Sequence, residues 1–272
     1  MALEGNLVVL QNLLARTGSA AVLAPVILYI VWVGGVIFFL FLMLVVCRVT
    51  YEWDRLTGGS GARLSSISLA AFTIGTLTIA HQFGYPIGLL VAAIALLTQV
   101  VLARYERSNM ILGAVGTIYI VLPFLSLLWL RSIPLDGRGI VVWLLLTVWF
   151  TDILGYVVGN VLAGPKLAPS ISPRKTWSGV FGGLIGATLV GGLAHSFLMP
   201  LDVFGFWAGG YLLGALIGIS AQAGDLGESW LKRRQMIKDS GNLIPGHGGL
   251  LDRIDGLITS APLLAIFVFL AN

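Results

Sequence analysis

The sequence predicts an all-α, polytopic membrane protein: a helical bundle of about nine transmembrane spans. Three observations carry that expectation. Hydrophobic residues make up 57% of the 272 residues and the mean hydropathy is +0.96, far above a soluble domain. Several apolar runs reach roughly 20 residues, enough to cross a hydrocarbon core of about 30 Å. The runs are continuous rather than alternating, which excludes an outer-membrane barrel.

The spans fall in order at residues 17–33, 35–49, 66–83, 86–103, 110–130, 139–163, 177–199, 204–229 and 250–271. The first two share one apolar run, 20–47, with Gly34-Gly35 in its middle. They are either one long tilted helix or two short helices joined by a tight turn. The first fifteen residues lack the charge-then-apolar order of a cleaved signal peptide. The single cysteine, Cys47, excludes an internal disulfide and a multi-cysteine metal site, and its apolar surroundings read as packing. Residues 1–109 are expected to be structural and assembly helices, and residues 110–272 the catalytic region.

Charge sets the orientation. With nine spans and a cytoplasmic N-terminus, fourteen of the sixteen Lys and Arg lie on inner segments, and only Arg131 and Arg138 lie outside. An eight-span arrangement moves only Arg16. The formal net charge of +4 and pI near 9.4 reflect these inner loops, which suit an anionic leaflet and do not argue for nucleic acid.

Polar residues inside such a chain are costly and mark working sites. Asp152 stands alone in an apolar run, with Tyr156 one turn on; it is a site residue or a hydrogen-bonded structural acid. In Ser172-Pro173-Arg174-Lys175-Thr176, Ser172 suits a helix N-cap and Pro173 the first helical position. That places Arg174 and Lys175 at a positive helix terminus that welcomes an anion, unless they merely anchor lipid headgroups.

The strongest signal lies between Asp225 and Asp255, which hold ten of the chain's 28 Asp, Glu, Lys and Arg residues. Asp225, Glu228 or Ser229, and Lys232 share one helix face, and Lys232, Arg233 and Arg234 end that helix. Lys238 to Asn242 reads as a polar turn, and Pro245 to Gly249 as a tight loop. Asp252 and Asp255 share a face of the last helix, and Asp225 meets Asp252 if the last two helices pack antiparallel. Two carboxylates plus substrate phosphates suit Mg²⁺, which keeps waters and takes few protein ligands. A solvated loop of cationic anchors would explain the Lys and Arg, but not two acids in apolar helices.

The stretch from Ser229 to Asp255 resembles the signature of phosphatidate cytidylyltransferases, also called CDP-diacylglycerol synthases. The matching positions are Ser229, Lys232-Arg233, Lys238-Asp239, Pro245-Gly246-His247-Gly248-Gly249 and Asp252-Arg253-Ile254-Asp255. Residues 172–176 and the Asp152/Tyr156 pair are also similar to family segments. The resemblance implies transfer of a cytidylyl group from CTP to phosphatidate at a bacterial inner membrane. It also implies Mg²⁺ with a second, monovalent cation such as K⁺. Under it the catalytic group is Asp225, Lys232, Lys238, His247, Asp252 and Arg253. Substrate contacts are Asp152, Ser172, Arg174, Lys175, Ser229, Arg233, Asp239, Gly248 and Gly249. Asp225, Asp252 and Asp255 are the metal ligands.

The expected partners are CTP, phosphatidate and membrane lipids, with a homodimer left open. Two other readings stand beside this one. One is a transporter or channel with a cytoplasmic ion site. The other is a related enzyme using CTP with a different lipid phosphate.

Overall fold

The computed structural model describes residues 18, 21–59, 61, 63–199, 208–237, 240–241 and 248–271. The expected Lys238, Asp239 and His247 fall outside the described residues. Among the described residues the chain is an all-α bundle. Its helices are α1 (Ala21–Val33), α2 (Gly35–Leu56), α3 (Leu64–Phe83), α4 (Tyr85–Tyr105), α5 (Met110–Ser132), α6 (Gly137–Val161), α7 (Trp177–Leu198), α8 (Gly209–Arg234) and α9 (Leu251–Ala271). Seven of them, α2 to α7 and α9, are long and apolar enough to cross a membrane. The 26 residues of α8 are long enough, but glycines and a charged last turn dilute its hydropathy.

The apolar run at 20–47 is broken into two helices at Gly34, where Gly34 and Gly35 both have positive φ, at 67° and 53°. That backbone favours glycine. Arg131, at the end of α5, steadies the break: its Nε donates to Val31 O at 2.6 Å and its Nη2 to Trp32 O at 3.1 Å.

Three elements differ from expectation, the first being the eighth span, expected at 204–229, whose helix covers Gly209–Arg234. The second span continues past residue 49 to Leu56, because its polar end is buried in protein: Glu52 is 0% exposed and Asp54 4%. Ser172 does not cap a helix. Ser172–Thr176 is β2, paired antiparallel with β1 (Lys166–Ala168). Helix α7 starts at Trp177, capped by Thr176, whose Oγ1 accepts from Gly179 N at 3.2 Å. A β-branched cap that closes its own first turn wins over an upstream Ser-Pro held in a strand pair. Arg174 and Lys175 therefore precede the helix on a strand.

Helix α7 packs chiefly on α6 and α8 through small residues. A Cβ on Gly179 would meet Gly155 O at 2.8 Å, and one on Gly183 would meet Thr151 O at 2.7 Å. Across the other side, a Cβ on Gly191 would stand 2.6 Å from Gly214 Cα. Between membrane helices the close approach of backbones, and not hydrophobicity, holds the pair together. Trp143 of α6 adds a bond, Nε1 donating to Gly191 O at 2.8 Å. Gly191→Leu is expected to overpack this seam by about 1–3 kcal/mol. Thermal unfolding in detergent should then shift down by about 2–12 °C; an unchanged midpoint would contradict the seam.

Helices α8 and α9 are antiparallel, but this sets Asp225 near Asp255 and leaves Asp252 facing Lys232, so the expected meeting of Asp225 with Asp252 is replaced by two separate ion pairs. Thr259 Oγ1 donates to Ser220 O at 2.7 Å and Ser260 Oγ to Ile217 O at 3.3 Å, so one helix rises as the other descends. This brings the charged end of α8 beside the acidic start of α9.

Candidate active site

At that end of the bundle several described acids and bases of the signature come together. Lys232, in the last turn of α8, points at α9: its Nζ lies 2.6 Å from Asp252 Oδ1 and 3.4 Å from Glu228 Oε1. The other oxygen of Asp252, Oδ2, accepts from Gly249 N at 2.8 Å, Ser240 N at 3.0 Å and Ser240 Oγ at 3.0 Å. Asp252 thus fastens three pieces of chain: the α8 end, Ser240, and the Gly248-Gly249 turn that enters α9. Gly248 has φ 81°, a conformation glycine adopts without strain. A side chain at Gly249 would run into Ser240 and Glu52.

A second ion pair lies one to two turns back along α8. Lys175 Nζ of β2 is 2.7 Å from Asp225 Oδ2, and Ser229 Oγ donates to Asp225 Oδ1 at 3.3 Å. The hairpin, not a helix terminus, delivers Lys175 to the site. Asp152 of α6 lies within electrostatic reach of Asp225, Lys175 and Arg253, and Asp255 within reach of Asp225, Asp152 and Glu228. Asp255 Oδ1 accepts from Gly256 N at 2.7 Å.

The remaining expected residues lie on β2, α8 and α9. Arg233 uses Nε on Ile171 O at 3.1 Å and Nη1 on Ile237 O at 3.4 Å, bracing the hairpin turn. Arg174 and Arg253 are exposed and Ser172 is half-buried.

Reading the sequence puts Glu228 on the α8 face without a role, and it misses Glu52 altogether. Glu228 is 2% exposed, and neither carboxylate oxygen has a hydrogen-bond partner. Glu52, from distant α2, accepts from the backbone N–H groups of Leu250 and Leu251 at 3.1 and 2.8 Å. The available signal was an Arg48…Glu52 pair, four residues apart, at the end of an apolar run.

The donor chemistry fits a hard divalent cation. Every acidic group at the site offers oxygen, and buried carboxylate oxygens without a hydrogen bond, as on Glu228 beside the Lys232 ammonium, are what a cation satisfies. Among the described residues no three acidic, His or Cys side chains already form a complete ligand set. Mg²⁺ does not require one, since water and phosphates complete its shell.

The chain is similar to known proteins over nearly its full length. The Cytidylyltransferase family profile matches residues 14–271. A protein of Brucella abortus named phosphatidate cytidylyltransferase is 41% identical over 261 residues, covering 95% of this chain and 94% of the relative. One of Pseudomonas aeruginosa with the same name is 33% identical over 269 residues, covering 94% and 97%. One of Rickettsia bellii is 39% identical over 162 residues, 58% of this chain and 69% of the relative.

Proposed function

The chain belongs to the cytidylyltransferase family, and we propose from that premise that its helix-end cluster is where phosphatidate meets CTP. The reaction transfers the cytidylyl group of CTP to phosphatidate, giving CDP-diacylglycerol and pyrophosphate for phospholipid biosynthesis. The observation that carries the site assignment is the paired arrangement of Lys232 with Asp252 and Lys175 with Asp225 at one end of a membrane bundle. A transporter reading is not favoured: the relatives named as enzymes match nearly the full length, and the charges gather at one end.

A phosphate oxygen of phosphatidate attacks the α-phosphorus of CTP. The new P–O bond forms as the bond from that phosphorus to the bridging oxygen breaks, and pyrophosphate carries off the electron pair. The attacking oxygen is already anionic, so no strong general base is required. What the site must do is align two anions and neutralise charge as it develops.

Lys175, Lys232, Arg174, Arg233 and Arg253 are the described cations around the site, with Lys238 and His247 assigned on sequence grounds. Asp225 and Asp252 are the residues proposed to hold Mg²⁺, with Asp255 beside them and a monovalent cation such as K⁺ as a second charge. The Mg²⁺ would supply electrophilic stabilisation of phosphate charge.

The surroundings suit a lipid acceptor. Asp152 is exposed, and so are its apolar neighbours Phe150, Ile153, Tyr156 and Val157. Acyl chains can therefore stay in the bilayer while the phosphate reaches the acids. The positive-inside count supports a cytoplasmic face for the cluster, where CTP is available.

The test uses the purified full-length protein in detergent with labelled CTP, Mg²⁺ and phosphatidate. Pyrophosphate release that requires phosphatidate is expected. Release that is absent, or indifferent to phosphatidate, would refute the reading.

A further inference from the structure

Glu52 belongs to none of the motifs that point to the site, yet its carboxylate is fully saturated there. Its Oε1 accepts from Arg48 Nε at 2.8 Å and Leu250 N at 3.1 Å. Its Oε2 accepts from Leu251 N at 2.8 Å and Ser240 Oγ at 3.2 Å. Leu250 and Leu251 open α9, so the two backbone N–H groups are among those a helix start leaves without intrahelical partners. The cap comes from another helix, nearly two hundred residues away, and it places a negative charge at the positive end of α9.

Two details tie this cap to the reacting residues. Ser240 Oγ donates to Asp252 Oδ2 at 3.0 Å as well as lying against Glu52, so one hydroxyl joins the two carboxylates. The chain segment that carries His247 in the sequence is flanked by Ser240-Gly241 and Gly248-Gly249, and Glu52 touches both flanks. A Cβ on Gly241 would meet Glu52 Oε1 at 2.8 Å and one on Gly249 would meet Glu52 Oε2 at 2.7 Å. These glycines leave room for the carboxylate.

We infer that Glu52 is a positioning residue for the transfer reaction: it holds the start of α9 and the Ser240 segment together, and so fixes where Asp252 stands. The inference rests on the functional reading above. Glu52 acts through Asp252 and the turn and touches neither substrate.

A glutamine at this position separates the inference from simple packing. It is nearly the same size but offers one acceptor oxygen in place of two, and its NH₂ would face two donors. If Glu52 only fills space, Gln suffices. If it is the cap, Gln fails and Asp, which keeps both oxygens, recovers part of the function.

The experiment measures phosphatidate-dependent pyrophosphate release and backbone amide exchange of peptides spanning 249–255 in full-length wild type, Glu52→Gln and Glu52→Asp. Glu52→Gln is expected to lower kcat by about 30-fold or more while the CTP KM moves less than about threefold. Amide exchange at Leu250 and Leu251 should speed at least about tenfold in the same variant. Glu52→Asp should lie between. A kcat for Glu52→Gln within about threefold of wild type, or unchanged exchange, overturns the inference.

Should Glu52→Gln fail to fold, Ser240→Ala removes the shared hydroxyl. It is then expected to lower kcat about three- to tenfold in a monodisperse protein, and no loss would overturn the inference. If wild type shows no phosphatidate-dependent turnover, the functional reading falls. The exchange comparison still decides whether Glu52 caps α9.

Discussion

Asp252→Asn is expected to reduce turnover by at least about a thousandfold in a protein that still folds and inserts, a barrier increase of roughly 4 kcal/mol. Both carboxylate oxygens are in use: Oδ1 on Lys232, and Oδ2 on Gly249 N, Ser240 N and Ser240 Oγ. An amide must turn its NH₂ toward one of these sides. Facing Lys232, it sets donor against ammonium; facing the turn, it sets donor against three donors. Each donor left without a partner costs about 1–3 kcal/mol, and breaking a buried ion pair on one side about 3–5 kcal/mol. The damage is confined to one end of a bundle whose helix seams lie elsewhere, so the fold should persist. Asp225→Asn should reduce turnover comparably if Asp225 holds the metal, with less damage to structure, since that side chain is 34% exposed and pairs with a single lysine. Initial rates at saturating Mg²⁺, read beside thermal unfolding in detergent, check both variants. Near-normal turnover in either would remove that residue from the reaction.

The helices were legible because a bilayer imposes length and apolarity on each span, and the observed boundaries from α3 to α7 and for α9 lie within two residues of the expected ones. The acidic and basic cluster was legible for the same reason: ten charges in 31 residues stand out against a chain this apolar. Less visible was whatever depends on contacts between distant segments. Ser172-Pro173 has the composition of a helix start, and only pairing with residues 166–168 turns it into a strand. The end of α2 looked like a loop because Arg48, Glu52, Asp54 and Arg55 are charged; burial against the α9 turn keeps it helical. Glu228 is legible as one of two residues on a face, but its burial without a hydrogen bond, beside Lys232, is a property of the packed site. Glu52 is separated by nearly two hundred residues from the turn it caps, a relation with no local pattern.

Lys175→Ala is expected to lower kcat by about a hundredfold or more, and the reason lies in where the hairpin puts the ammonium. A cation that contacts a phosphate as charge builds in the transition state can contribute several kcal/mol in a water-poor site. A lysine that only touches lipid headgroups contributes about 1 kcal/mol to membrane association, and its loss would leave turnover nearly intact in a protein held by this many spans. Lys175 Nζ sits 2.7 Å from Asp225 Oδ2 at the site and is only 24% exposed, which is not the placement of a headgroup anchor. A loss below about fivefold, roughly 1 kcal/mol, would nevertheless favour the anchor. A third role, holding Asp225 in place without meeting substrate, is separated by a double-mutant cycle with Asp225→Asn. If Lys175 acts only through Asp225, removing it from Asp225→Asn costs nothing further. If it also meets phosphate, the double variant should fall below either single one. Because Asp225→Asn alone leaves little turnover, the cycle is best read from single-turnover formation of labelled CDP-diacylglycerol, which resolves slow transfer.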